Sequence, residues 1–167
     1  MFKQRSLWSA ILFAALLSGC GFHLRTHQPM VFETIAVTPS NTGAVSIAMA
    51  RLLGDAVRPL VPGQDAQGPQ VVLEILQETR ERTVVGVNAS GQIRELLLVL
   101  RVKFRLRTAA GAELIPPTDL VQQRDFSYNE TAALSKEAEE GLLYRDMQAD
   151  IVQQLMRRLA AVKTLTP

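Results

Sequence analysis

The stretch Leu96-Leu97-Leu98-Val99-Leu100-Arg101-Val102-Lys103-Phe104-Arg105-Leu106-Arg107 decides the fold. Leu96, Leu98, Leu100, Val102, Phe104 and Leu106 recur at every second position, and Arg101, Lys103, Arg105 and Arg107 fill alternate places between and after them. Successive side chains of a strand point to opposite faces, so this pattern predicts one long strand with an apolar face and a cationic face. Just upstream, Asn88-Ala89-Ser90-Gly91 is small and polar and suits a turn. It makes residues 71–87 and 92–108 the two arms of a hairpin. On the first arm Val71, Leu73 and Ile75 are expected on one face and Glu74, Glu78, Arg80 and Arg82 on the other.

Moving outward, residues 32–38 read as a short strand that stops at Pro39-Ser40-Asn41. Val45, Met49, Leu52, Leu53, Ala56 and Leu60 follow helical spacing over about 43–57, with Asn41 or Thr42 as a cap and Pro59 as a limit. Residues 62–69 form a Gly/Pro-rich loop. After a turn at 109–112 and Pro116-Pro117, residues 120–128 read as a last strand at or near a sheet edge. A long helix is expected over about 135–162, capped by Ser135, with Leu143, Met147, Ile151, Leu155, Leu159 and Val162 as its buried stripe. Glu137, Glu139 and Glu140 near its start and Arg157, Arg158 and Lys163 near its end have the signs that the helix dipole favours. The order β-α-β-β-β-α implies an α+β fold: a two-layer sandwich with two amphipathic helices on one face of a four-stranded sheet. The other sheet face then meets water or a polar partner.

The cations on the second arm lie about 6.7 Å apart along the strand. Such a row could hold phosphates or an acidic surface, Arg through its bidentate fork. Cross-strand pairing is the alternative. Symmetrical closure over Asn88–Gly91 sets Glu78 opposite Arg101 and Glu74 opposite Arg105, and leaves Lys103 and Arg107 without an opposite acid. Those two are then the freer binders.

The N-terminus has its own grammar. Lys3 and Arg5 precede an apolar run from Leu7 to Leu17, and Ser18-Gly19 precede Cys20, the single cysteine. This is the layout of a secretory signal, and the run is too short to span a bilayer. Leu17-Ser18-Gly19-Cys20 resembles the bacterial lipobox, which implies cleavage before Cys20 and acylation of that residue. Each buried CH₂ of an acyl chain adds about 0.8 kcal/mol of membrane anchoring. The expected organisation is a signal peptide over 1–19, a lipidated tether over 20–30, one α+β domain over 31–163 and a tail over 164–167. The mature chain would hold 148 residues, 167 less 19, enough for one domain with a core. It would carry 16 basic and 16 acidic residues, since Lys3 and Arg5 leave the total of 18 against 16. Such a balance leaves no global nucleic-acid footprint. With one cysteine, neither an intrachain disulfide nor a thiolate metal site is available, and no cofactor is expected.

No catalytic constellation is legible. His23 and His27 sit in the tether without a positioned nucleophile, Ser90-Gly91 is turn chemistry, and phosphate-loop, dinucleotide and metal spacings are missing. An enzyme is not expected.

Three segments together point to a family. Cys20-Gly21-Phe22-His23-Leu24-Arg25, the tip Ser90-Gly91-Gln92, and Asn129-Glu130-Thr131-Ala132-Ala133-Leu134-Ser135-Lys136-Glu137 running on through Tyr144-Arg145-Asp146-Met147 to Leu159 resemble the lipopolysaccharide-assembly lipoprotein family LptE. The resemblance covers the mature chain and agrees with β-α-β-β-β-α. It implies a lipoprotein at the inner leaflet of the outer membrane, which plugs the lumen of the LptD β-barrel, helps that barrel assemble and helps pass lipopolysaccharide to the cell surface. Gly21, in place of an aspartate after the cysteine, fits outer-membrane sorting in such proteins. The resemblance further implies lipopolysaccharide contacts by basic residues near the hairpin tip and the start of the last helix. Lys136 matches the second position. The tip itself has no cation, and Arg94 is the nearest; Lys103 and Arg107 join these as candidates on charge. A periplasmic adaptor of another envelope transport complex stays open as the rival class.

Overall fold

A computed structural model describes residues 30–40, 42–61 and 68–165. The signal peptide, Cys20 and almost all of the tether lie outside these residues. The elements follow the expected order: β1 (Ile35–Thr38), α1 (Ala44–Leu53), β2 (Val71–Val87), β3 (Ile93–Thr108), β4 (Glu113–Ser127) and α2 (Ala133–Ala160). Short 3₁₀ turns follow α1 at Gly54–Ala56 and precede α2 at Glu130–Ala132. The sheet is ordered β1-β2-β3-β4, parallel between the first two strands and antiparallel elsewhere. A parallel pair needs a crossover, and α1 supplies it.

The alternating row on β3 is the floor of the core. Leu98, Leu100, Val102, Phe104 and Leu106 are fully buried and Leu96 nearly so. They share one cluster with Val45 and Met49 of α1 and with Met147, Ile151, Leu155 and Leu159 of α2. Both helices therefore cover one face of the sheet, giving the expected two-layer α+β sandwich. Tyr144 and Val152 join the α2 stripe, although the period did not single them out.

The structure corrects the facing of β2. Its register with β3 slips between Ile75 and Gln77, so that Leu76 is an extra residue with no partner. Up to Ile75 the symmetrical closure holds, and Glu74 opposes Arg105. From Gln77 to Val84 every position moves by one: Thr79, not Glu78, opposes Arg101, and Glu78 opposes Val102. One inserted residue sends every later side chain to the other face, because the period is two. Glu78, Arg80 and Arg82 consequently face the helix layer. Glu78 Oε2 accepts the Val45 backbone N–H at 3.1 Å, Arg80 lies 5.1 Å from the Tyr144 ring centre, and Arg82 reaches Glu140 at 3.2 Å.

This settles how α1 begins. Its N-cap is Gly43 and makes no side-chain cap bond, so Thr42 does not fill that role; Asn41 lies outside the described residues. The carboxylate of Glu78 caps the helix from the sheet, where the dipole favours an anion. Gly43 holds φ at 88°, and a Cβ there would lie 3.2 Å from Glu78 Oε2, so the position suits glycine on both counts. The helix ends at Leu53, short of residue 57, and Leu52 and Leu60 of the expected stripe are exposed.

Two more boundaries differ from expectation. The last strand begins at Glu113 and runs through Pro116-Pro117. An edge strand tolerates prolines, and the β3–β4 register is irregular there. The final helix starts at Ala133, so Ser135 sits inside its first turn and donates to the Ala132 carbonyl at 2.9 Å. Asn129 does the capping one turn earlier, its side chain accepting from Thr131 N at 3.1 Å.

Ser46 is the buried polar side chain of α1, and its Oγ has no partner among the described residues. Three substitutions test this packing by urea unfolding. Phe104→Ala should cost about 3–5 kcal/mol. Glu78→Ala should cost about 1 kcal/mol through the lost cap. Ser46→Ala should be neutral or gain up to about 1 kcal/mol, since it removes an unsatisfied hydroxyl. A Glu78→Ala protein as stable as the parent would disprove the cross-element cap.

Candidate functional site

The uncovered face of the sheet carries the cationic row, and the structure sorts its members. Glu74 on β2 bonds two guanidinium groups together: Arg105 Nε, in a very short contact, and Arg107 Nε at 2.8 Å. The expectation that Arg107 lacks an acid therefore fails. It assumed that each residue meets only its direct opposite, whereas Glu74 sits between two arginines on the same face. Arg101 approaches Glu81 at 4.0 Å, an exposed pair of small energetic consequence. Lys103 makes no ion pair with a described residue; its register neighbours are Gln77 and Asp119. Of the four, Lys103 is the uncommitted cation.

Burial alone would raise the Glu74 carboxyl, but the hydrogen bonds and positive charges of Arg105 and Arg107 outweigh it and hold it below its ordinary 4.5. Tyr144, whose hydroxyl donates to the Glu81 carbonyl at 2.8 Å, is pushed up, chiefly by burial and then by Glu140.

The other two candidates meet at the hairpin-tip end. Asn88 organises the tip: its Oδ1 accepts from Ser90 N at 3.0 Å and Gln92 N at 2.9 Å. Arg94 falls at a register slip, because Gly86 pairs with Glu95 while Val87 pairs with Ile93. Such a bulge re-aims a side chain. Arg94 is exposed, and its head group reaches only Gln92, at 3.5 Å. The Arg94 carbonyl accepts from Tyr128 N at 2.8 Å, which brings the end of β4 and the start of α2 alongside. Lys136 is there, held at 2.8 Å from Glu139, 3.4 Å from Ser127 Oγ and 5.3 Å from the Phe126 ring centre. Arg94 and Lys136 thus share one end of the molecule, while Arg107 lies about 44 Å away along β3. Lys103 lies between them.

Sequence reasoning missed one arrangement. Arg80, Arg82, Glu137, Glu140, Gly141 and Tyr144 line an open groove of about 420 Å³ between β2 and α2. Only the bulge at Leu76 turns both arginines toward the helix layer, and nothing in the residue pattern signals that bulge. Among the described residues no His, Cys, Asp and Glu side chains cluster as metal ligands, and no helix is long and apolar enough to cross a membrane.

The lowered Glu74 carboxyl gives a pH test. A depressed folded value contributes stability that is present above the unfolded value and is lost as pH falls through the folded one. The parent should therefore weaken on acidification below about pH 4.5, and Glu74→Gln should be less stable at neutral pH, with the gap closing as the pH drops. Urea midpoints at pH 7 and pH 3 check this; a constant gap would remove Glu74 as the cause.

Comparison with known proteins follows the same outline. A sequence model of the family described as LptE, lipopolysaccharide-assembly, matches residues 32–159. The chain is 28% identical over 172 residues to an LPS-assembly lipoprotein LptE of Pectobacterium atrosepticum, covering 95% of this chain and 88% of that one. It is 26% identical over 164 residues to its namesake in Photorhabdus laumondii, covering 96% and 88%. Among solved structures, an uncharacterized lipoprotein B from Nitrosomonas europaea superposes with a TM-score of 0.67 at 32% identity, covering 84% of this chain and 91% of that one. A minor lipoprotein from Acinetobacter baumannii shares the fold, with a TM-score of 0.61 at 23% identity over 80% and 94% of the two chains. From the matched span of strands and helices, the chain belongs to the LptE lipopolysaccharide-assembly family, which is not a family of enzymes.

Proposed function

We propose that this chain is an outer-membrane lipoprotein, acylated on Cys20 and facing the periplasm, that plugs the lumen of an LptD-type β-barrel, helps that barrel assemble and assists lipopolysaccharide transport to the cell surface. The observation that carries the reading is the sheet face left uncovered by both helices. Large outer-membrane barrels have polar interiors. A rigid wedge with Glu74, Arg101, Lys103, Arg105 and Arg107 on one broad face offers such an interior complementary charges and hydrogen bonds. The family membership supports the same reading.

Lipopolysaccharide carries phosphates, which suit charge-assisted bonds from Lys136, Arg94, Lys103 and Arg107. The four are unequal partners. Arg94 and Lys103 have no acid to leave. Lys136 would exchange Glu139, and Arg107 would exchange Glu74. Arg94 and Lys103 are therefore the freest contacts, Lys136 joins Arg94 at the tip end once it leaves Glu139, and Arg107 is the weakest candidate.

Affinity purification through a C-terminal tag in mild detergent, with mass spectrometry of the bound proteins, tests the plug. A stoichiometric outer-membrane barrel is the expected result. Inner-membrane partners without a barrel would replace the plug with the periplasmic adaptor. For the lipid contact, Arg94→Asp with Lys136→Asp should weaken lipopolysaccharide binding about ten-fold or more while the urea midpoint stays within about 1 kcal/mol of the parent. Unchanged binding would discard both residues.

A further inference from the structure

The end of the sandwich opposite the hairpin tip collects several chain segments. Gln70 N donates to the Thr34 carbonyl, Glu33 N donates to Gln70 Oε1, and Ala109 N donates to the Gln70 carbonyl. The start of β4 and the end of α2 meet at this same end, lining an open cleft of about 460 Å³. Arg158 and Lys163 belong to its lining, and Leu114, Ile115 and Val162 give it an apolar wall. Both cations are exposed, and neither makes an ion pair with a described residue. Glu113 is the one acid in the lining. Cations at a helix C-terminus complement the dipole, which would explain their sign without any ligand. It does not explain why they flank a cleft with an apolar wall.

The chain outside the described residues says what lies nearby. Residues 20–29 precede Met30, which packs against the core three residues before Glu33, whose N–H meets Gln70 at this end. Ten residues span at most about 35 Å. The leaflet that holds the acylated Cys20 is therefore within reach of this end. The tip end lies about 44 Å further along β3.

We infer that this cleft is a second lipid contact: Arg158 and Lys163 bind the phosphate headgroup of an anionic phospholipid in the leaflet that carries the anchor, with Leu114, Ile115 and Val162 against its glycerol and upper acyl region. The inference rests on the reading of Cys20 as the anchor, and it is separate from the lipopolysaccharide contact at the tip. Its effect is to set the orientation of the wedge, tether end down and hairpin tip away from the anchoring leaflet. Basic residues near an anionic leaflet add affinity that salt screens.

The test uses the chain from residue 20 with Cys20→Ser, so that binding reports the surface and not the acyl chains. Flotation with phosphatidylglycerol vesicles should recover the protein, and flotation with phosphatidylcholine vesicles should not. Arg158→Glu with Lys163→Glu should weaken the binding about ten-fold or more, and Arg145→Glu, at an exposed cation in the middle of α2, should leave it within about two-fold. Urea midpoints confirm that each variant is folded. Absence of phosphatidylglycerol binding, or equal loss on Arg145→Glu, would overturn the site. Inorganic phosphate alone, at constant ionic strength, should not displace the vesicles at millimolar concentration; if it does, the cleft is a free-phosphate site and the leaflet assignment fails. Mass spectrometry of the Cys20 peptide from cells reads the anchor independently, and barrel co-purification reads the plug, so each part can fail alone.

Discussion

Everything in this fold depends on burying one face of β3. Leu96, Leu98, Leu100, Val102, Phe104 and Leu106 form a continuous apolar row that water would otherwise cover. Each fully buried Leu or Phe contributes roughly 1.5–3 kcal/mol relative to exposure. The two helices exist to cover that row. α2 is long because the row is long: 28 residues span about 42 Å, enough to cover the roughly 34 Å from Leu96 to Leu106. α1 is short, and it covers only the part of the sheet that β1 and the beginning of β2 supply.

The bulge at Leu76 divides the sheet into two regimes. Below it, β2 gives Val71, Leu73 and Ile75 to the core and Glu74 to the open face. Above it, β2 gives Glu78, Arg80 and Arg82 to the helix side, where apolar residues would be expected. Each is satisfied there: one caps a helix, one lies over an aromatic ring, one pairs with Glu140. The groove between β2 and α2 results from this switch. The same switch leaves Glu81 on the open face, near Arg101, while Glu74 reaches that face from the unshifted part of β2.

The molecule has two ends with different chemistry. The tip end joins Arg94 and Lys136 through the bond between the Arg94 carbonyl and Tyr128 N. The other end holds the cleft of Arg158 and Lys163. The two proposed lipid contacts lie at opposite ends of the molecule, and together they would fix its orientation.

The residues by themselves determined the element order, the hairpin turn, the buried row of β3 and most of the α2 stripe, because these depend on local periodicity and turn chemistry. They also determined the family through its motifs. What tertiary structure alone decided was which face the distal half of β2 presents. A bulge of one residue leaves the local pattern legible as a strand but inverts its facing, and its position is chosen by the pairing partner and the helices above. The fates of Glu78, Arg80 and Arg82 followed from that. So did the identity of the α1 cap, which lies 35 residues from the helix's own N-cap glycine, because a helix end accepts whichever carboxylate the fold delivers to it.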